Sequence, residues 1–192
     1  MTKTILTTVL ALSIRTIAAD PAPAKPIPAS TAPLADSSPS KSAFSTVYED
    51  ITYSFDTEEA KNAFVQKVTA SIYHQIGGKA SMEAAIEIFY KKVLADDRIN
   101  HFFKDTNMAK QKQKQKAFLS AAFGSPVKWT GLDMRTAHAD LPGLNDIHFN
   151  AVAGHLQATL EELKVKKELI DQIMTAAGSL RDDVLNRKPA AK

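Results

Sequence analysis

The chain has 192 residues, and its 44% hydrophobic content suffices for one packed domain of ordinary size plus a tail. A net charge of +3, without lysines and arginines clustered beside exposed aromatics, gives no case for nucleic-acid binding. There is no cysteine, which excludes disulfides, zinc–thiolate sites, iron–sulfur clusters and cysteine nucleophiles.

Residues 1–19 have the layout of a targeting segment. Lys3 precedes the apolar run Ile5 to Ile14, and Ala18 and Ala19 stand before Asp20, the order of a secretory signal and its cleavage site. Arg15 interrupts that pattern. Export, as to a periplasm, is the expectation; an organelle transit peptide or an uncleaved cytoplasmic tail are the alternatives. No stretch approaches the roughly 20 apolar residues of a membrane-spanning helix. Residues 20–46 are rich in Pro, Ala and Ser and read as a linker, because they carry too little apolar surface to offset the entropy of ordering.

Residues 47–70 read as a strand-helix extension. Ile51, Tyr53 and Phe55 alternate with Thr52 and Ser54, which predicts one short strand. Asp56 or Thr57 can cap a helix whose positive end is favoured by Glu58 and Glu59. Ala60, Phe64, Val68, Ile72 and Ile76 recur every four residues and predict a single amphipathic helix, stopped by Gly77-Gly78. Everything beyond reads helical. Ser81 is expected to cap a helix carrying Ala85, Ile88, Phe89, Val93 and Leu94. A turn follows over Arg98 to Phe103. Asn107 can cap a long helix from Met108 to Phe123, stopped by Gly124. After a loop with Pro126 and Gly131, a short helix spans Asp133 to Leu141 and is closed by Pro142-Gly143. Asn145 can cap a helix through Leu163, and a last helix is expected from Lys166 to Asn186. No repeat of 20 to 50 residues recurs, which rules out a solenoid. The fold class is all-α, and packed helices of this kind hold cofactors between facing sides.

Ordinary catalytic motifs fail. Lys79 follows two glycines, but Tyr73 and Ala80 stand where a phosphate-binding loop needs Gly and Ser or Thr. There is no metalloprotease helix motif and no nucleophile elbow. If the chain is an enzyme, a cofactor carries its chemistry.

Two features stand out. Lys110 to Lys116 alternates Lys and Gln, so Lys110 faces Lys114 and Lys112 faces Lys116, each like-charge pair costing roughly 0.2–0.5 kcal/mol. A solvated cationic face accounts for some of these lysines. Yet Gln111, Lys114, Gln115 and Phe118 lie at i, i+3, i+4 and i+7, so the face that takes Phe118 inward also carries two amides and an amine, which need a partner. The second feature is His138, one of five histidines, on the short helix beside Met134, Ala137 and Leu141. His74 and His101 read as surface and turn residues, and His148 and His155 as half-buried helix residues. A single histidine is not by itself evidence for a metal.

Taken together, Gly77-Gly78, Phe89-Tyr90, Asp97-Arg98, His101-Phe102-Phe103, Asp105 to Met108, Gln115 to Leu119, Phe123-Gly124, Met134-Arg135-x-Ala-His138, His148-Phe149-x-Ala-Val152 and Asp183 to Asn186 resemble a group I truncated haemoglobin. Each piece is weak; their order over about 115 residues is specific. The resemblance implies a truncated globin domain over residues 71–187, followed by a tail at 188–192. It implies a two-over-two helical sandwich around haem b and its iron.

His138 matches the proximal histidine, whose other ring nitrogen is expected to donate to a backbone carbonyl. Tyr90 matches the distal tyrosine that hydrogen-bonds a diatomic ligand, and Gln111 and Gln115 match further distal donors. Phe103, with Phe102, matches the aromatic packed on the porphyrin. Phe118, Leu119, Trp129 and Met134 are candidate walls, with plain core packing as the alternative for the phenylalanines. Lys114 stands where some members place an iron-binding histidine or lysine. It is either a distal metal ligand or an outward lysine paired with a haem propionate. Ser125 departs from the usual second glycine. Leu180 stands where some members carry a histidine linked to a haem vinyl, so no such link is expected. Residues 47–67 resemble half of a small YHS-type domain without its metal-binding cysteines; a simple extension of the first helix is the alternative. The function implied is binding of O2, NO and CO by a monomer, with NO dioxygenation sustained by an unidentified reductase. A non-enzymatic ligand binder or sensor, or an interaction protein that has lost haem, are the alternatives.

Overall fold

The computed structural model describes residues 44–188. The expected targeting segment, most of the expected linker and residues 189–192 lie outside the described residues. Those residues form two compact units, 44–66 and 67–188.

The first unit is a hairpin and a helix. Strands β1 (Phe44–Tyr48) and β2 (Ile51–Phe55) pair antiparallel, Phe44 opposite Phe55 and Tyr48 opposite Ile51. Glu49 and Asp50 join them with positive φ of 48° and 66°, the twist a two-residue hairpin turn requires. Helix α1 (Glu58–Thr69) follows, and the Thr57 hydroxyl accepts from the Ala60 amide at 3.1 Å. Tyr53 and Phe55 pack their rings on Phe64 at 4.5 and 5.1 Å. Only β2 was predicted. β1 escapes the alternation rule because Thr46 points to the half-buried side while Val47 is exposed, and its turn lacks the Asn-Gly signal.

The second unit is all-helical. It contains α2 (Ile72–Gln75), α3 (Gly78–Leu94), a 3-10 turn (Asn100–Phe103), α4 (Met108–Ala122), α5 (Met134–His138), α6 (Asp146–Glu162), α7 (Lys167–Ser179) and α8 (Arg181–Val184). Helix α3 packs on α4 and α6, α6 on α7, and the short α8 on α5. Two long helices thus lie against two others. Tyr90, Val93, Ile99, Phe118, Ile173 and Ala177 are fully buried between them.

Four boundaries differ from expectation, each for a local reason. The short helix expected through Leu141 ends at His138, where the Leu141 amide reaches back only three residues to the His138 carbonyl at 3.3 Å. The four-residue period across 60–76 is cut at Ser71. Its hydroxyl donates to the Val68 carbonyl at 2.6 Å and accepts from the His74 amide at 3.1 Å, so it ends α1 and caps α2. Helix α3 starts at Gly78 rather than after Ser81, because Gly77 and Gly78 take φ of 104° and 62° and turn the chain directly into it. The last helix breaks at Leu180, next to Gly178-Ser179, where the Ser179 hydroxyl donates to the Ala176 carbonyl at 2.7 Å. Boundaries set by asparagine caps came out close: Asn107 accepts from the Lys110 amide and Asn145 from the Ile147 amide. Gly124, at φ 91°, ends the α4 segment where a Cβ would meet Ser71 Cβ at 2.9 Å. Among the described residues no helix is long and apolar enough to cross a membrane.

Candidate functional site

Helix α5 is one turn long, and Asp133 starts it by accepting from the Thr136 amide at 3.0 Å and the Thr136 hydroxyl at 2.7 Å. It ends in His138, whose ring is 2% exposed. The Nδ1–H of His138 donates to the Met134 carbonyl at 2.6 Å, one turn back. A carbonyl only accepts, so this bond fixes the tautomer with the lone pair on Nε2. Burial lowers the His138 pKa, partly opposed by the Met134 bond, and keeps the imidazole neutral at pH 7. A buried, neutral, oriented imidazole is what a metal of intermediate softness takes.

Helices α3 and α4 supply a second polar group. Tyr90 is fully buried, and its hydroxyl accepts from Gln111 Nε2 at 3.0 Å. The tyrosyl O–H is therefore held with its proton available to another acceptor. Burial pushes the Tyr90 pKa well above its ordinary value, so the hydroxyl stays protonated. Gln115, one turn along α4, is 2% exposed, and its Oε1 has no hydrogen-bond partner among the described residues. It lines a small cavity with Phe89, Leu119, Leu156 and Thr159.

The predicted wall residues come out mostly buried. Phe102 and Phe103 sit in the 3-10 turn, and the Phe103 ring meets Tyr90 edge-on at 5.9 Å. Phe118, Leu119 and Met134 are buried, and half-buried Trp129 meets Phe118 edge-on at 5.5 Å. Trp129 keeps that place because residue 131 is glycine: any Cβ there would run into the indole. Lys114 differs from its helix neighbours. The two amides and Phe118 go inward together, while Lys114 is exposed, since an ammonium is not desolvated without a counter-charge. The neighbouring lysines are accounted for: Lys112 pairs with Glu87 at 2.5 Å and Lys116 with Glu83 at 2.9 Å, both across to α3. The like-charge repulsion along α4 is thus offset by two acids on another helix.

One imidazole, aromatic and aliphatic walls, and buried hydroxyl and amide donors fit a flat iron porphyrin better than a bare ion, which needs several protein ligands. The family profile described as bacterial-like globin matches residues 71–186. The chain belongs to the bacterial-like globins.

Within that family the globin is similar to the group 1 truncated hemoglobin GlbN of Synechocystis, 46% identical over 62% of this chain and 99% of that one. It is 45% identical to the group 1 truncated hemoglobin LI410 of Chlamydomonas moewusii over 63% of this chain and 71% of the relative. Among solved structures it resembles the 2/2 hemoglobin of Synechococcus with covalently attached heme, at TM-score 0.60 and 52% identity over 62% of this chain and all of that one. It also resembles the Fe(III) truncated hemoglobin of Tetrahymena pyriformis, at TM-score 0.56 and 40% identity over 59% and 97% of the two chains. The two-over-two globin fold is therefore established, with haem b as the family's cofactor. Sequence reasoning did not find the contacts of Arg135, three residues before His138 on the same helix. The signal was present as an arginine on the His138 helix and acids in the last helix, but only the fold brings them together.

Proposed function

We propose that this globin would hold haem b through His138, bind O2, NO and CO at its iron beside Tyr90, and convert NO to nitrate. The observation that carries the reading is the pairing of two buried, pre-oriented groups: the His138 imidazole anchored on Met134, and the Tyr90 hydroxyl anchored by Gln111. Bound haem supplies the coordination position and the one-electron change that nitrate formation needs (O2 + NO + e− → NO3−), with the electron delivered by a reductase.

The side chains do the rest. His138 Nδ1–H keeps the ring orientation fixed, and the bond to Met134 raises the basicity of Nε2. Tyr90 donates its proton toward a ligand oxygen while Gln111 holds the hydroxyl from behind. Gln115 contributes a second amide, of which only the Nε2–H can donate to a ligand; its Oε1, an acceptor, has no partner among the described residues. Phe102, Phe103, Phe118, Leu119 and Met134, all buried, and half-buried Trp129 would keep water from the macrocycle and pack on it. Such preorganised donors in a dry pocket act without reorganising when charge develops on the ligand.

Lys114, exposed in this structure, is proposed to turn inward as a neutral amine and serve as the sixth ligand of the resting iron. Support comes from its place between Gln111 and Gln115 on α4 and from the absence of an ion pair to it among the described residues, whereas Lys112 and Lys116 are taken by glutamates. A neutral amine coordinates and an ammonium does not, so loading is expected to release a proton. Lys114→Ala is expected to convert a low-spin ferric spectrum to high spin; an unchanged low-spin spectrum overturns the ligand role.

The dioxygenase reading is tested by steady-state NO consumption with an electron donor and a reductase. Sustained nitrate production beyond one equivalent per haem supports it. A single turnover with every donor tried leaves ligand binding and removes the enzyme. For localisation, export with cleavage before Asp20 is proposed, checked by the N-terminal sequence of protein from its native host.

A further inference from the structure

We infer that Arg135 is a positioning residue for His138, tying the proximal helix to the C-terminal segment 181–187 and so holding the peptide that carries the acceptor for His138 Nδ1. The inference rests on the reading of His138 as the iron ligand. Helix α5 has five residues, too few to be stable on its own hydrogen bonds. Its orientation must come from outside.

Three bonds supply it. Arg135 Nη2 donates to Asp183 Oδ1 at 2.7 Å, and Arg135 Nη1 donates to the Arg187 carbonyl at 2.7 Å. In return, Asn186 Nδ2 donates to the Arg135 carbonyl at 3.2 Å. Side chain and backbone of residue 135 are both held, by groups about fifty positions away in sequence. The planar guanidinium makes this a fork with a defined direction, which an ammonium could not reproduce.

The far side is anchored in turn. Asp146, at the start of α6, accepts from Arg181 Nη1 at 2.6 Å and also from Arg187. Arg181 further donates to Asn150 Oδ1 at 2.6 Å and lies over the Phe149 ring at 4.5 Å. The C-terminal segment is thus a strap between the long helix α6 and the short helix α5.

The link to the site is one peptide plane. The Met134 carbonyl that accepts from His138 and the Arg135 amide belong to the same rigid unit. Fixing Arg135 fixes where that carbonyl points, and the carbonyl fixes the imidazole. These side chains are half-exposed, so the ties add little to overall stability; what they set is direction.

The test uses the full-length, haem-loaded protein in a Lys114→Ala background, which leaves one protein ligand on the iron. The iron–imidazole stretching band of the ferrous, ligand-free state is recorded by resonance Raman, together with the rate of haem transfer to an excess of an apoglobin acceptor. Arg135→Ala is expected to shift or broaden the band and to speed haem loss about tenfold, the lower end for losing an outer-shell partner. Asp183→Asn, a gentler change, is expected to move the band the same way by less. Lys167→Ala, which removes an exposed ion pair with Asp171 on α7, is expected to change neither readout. Arg135 and Asp183 variants with lowered melting temperatures but an unmoved band and unchanged haem loss overturn the positioning role. A band that survives in His138→Gly overturns the ligand reading, and the positioning role with it; a band lost there but unmoved by Arg135→Ala and Asp183→Asn overturns the positioning role alone.

Discussion

Replacing Tyr90 with Phe isolates one oxygen atom with two duties. The ring is fully buried and stays filled by Phe, so the packing change is small. What is lost is the acceptor for Gln111 Nε2 at 3.0 Å and the donor offered to a bound ligand. Gln111 is only 3% exposed, so its amide is left with an unpaired donor, at a cost of about 1–3 kcal/mol in stability. For a domain of this size, at about 2–4 °C per kcal/mol, that lowers the melting temperature by about 2–12 °C. A hydrogen bond to a charged acceptor contributes about 1.5–3 kcal/mol, so O2 dissociation from the ferrous protein is expected to speed up about 10- to 150-fold. CO, which carries less charge when bound, is expected to respond far less. Because burial keeps the hydroxyl protonated, the wild-type O2 rate attributable to Tyr90 should be flat from pH 6 to 9. Stopped-flow dissociation and thermal melts of the same samples give both numbers. An O2 rate within twofold of wild type in a folded, haem-loaded Tyr90→Phe protein would refute the distal donor.

His138→Ala is expected to abolish the proximal spectroscopic signature, with exogenous imidazole restoring it. Asp96 is held well below the usual carboxylate range, first by Arg98 and also by His155 at 2.7 Å. A depressed carboxyl contributes stability that is present above about pH 4 and lost as pH falls, so Asp96→Asn should melt lower than wild type at pH 7, with the gap closing between about pH 5 and 2. Reversing Glu83 and Glu87 to Lys should lower the melting temperature by a few degrees in low salt; adding Lys112→Glu and Lys116→Glu should restore it, and molar salt should shrink the difference.

What could be read from the sequence was what is local. The caps Asn107 and Asn145 and the stop at Gly124 are short-range signals, and the helices they bound came out within a residue or two of expectation, while the acids of α1 marked its start but not its end at Thr69. Breaks made by side chains that compete for the backbone were hidden: Ser71 and Ser179 leave the apolar period intact while they end a helix. The identity of the site residues was legible only as an ordered pattern, since neither a lone His138 nor a lone Tyr90 carries the chemistry. Non-local ties were not legible at all. Nothing near Arg135 in the chain announces Asp183, and nothing near Lys112 announces Glu87.

The alternating run on α4 then has a structural meaning that repulsion alone did not suggest. On a helix with 3.6 residues per turn, Lys112 and Lys116 form one stripe and Gln111 and Gln115 the adjacent one, about 100° away. The lysine stripe meets Glu87 and Glu83 on α3, and Gln111 of the amide stripe meets Tyr90 on the same helix, three residues beyond Glu87. Exposed ion pairs contribute little energy, so they do not hold the two helices together. They select among rotations. Turning α4 by one residue would bring an amine toward Tyr90 and leave a charge buried without a partner, a cost of several kcal/mol, while also breaking both outer pairs. The strongly penalised alternative and the weak outer pairs point to the same rotation, and that rotation aims Gln111 at the tyrosine.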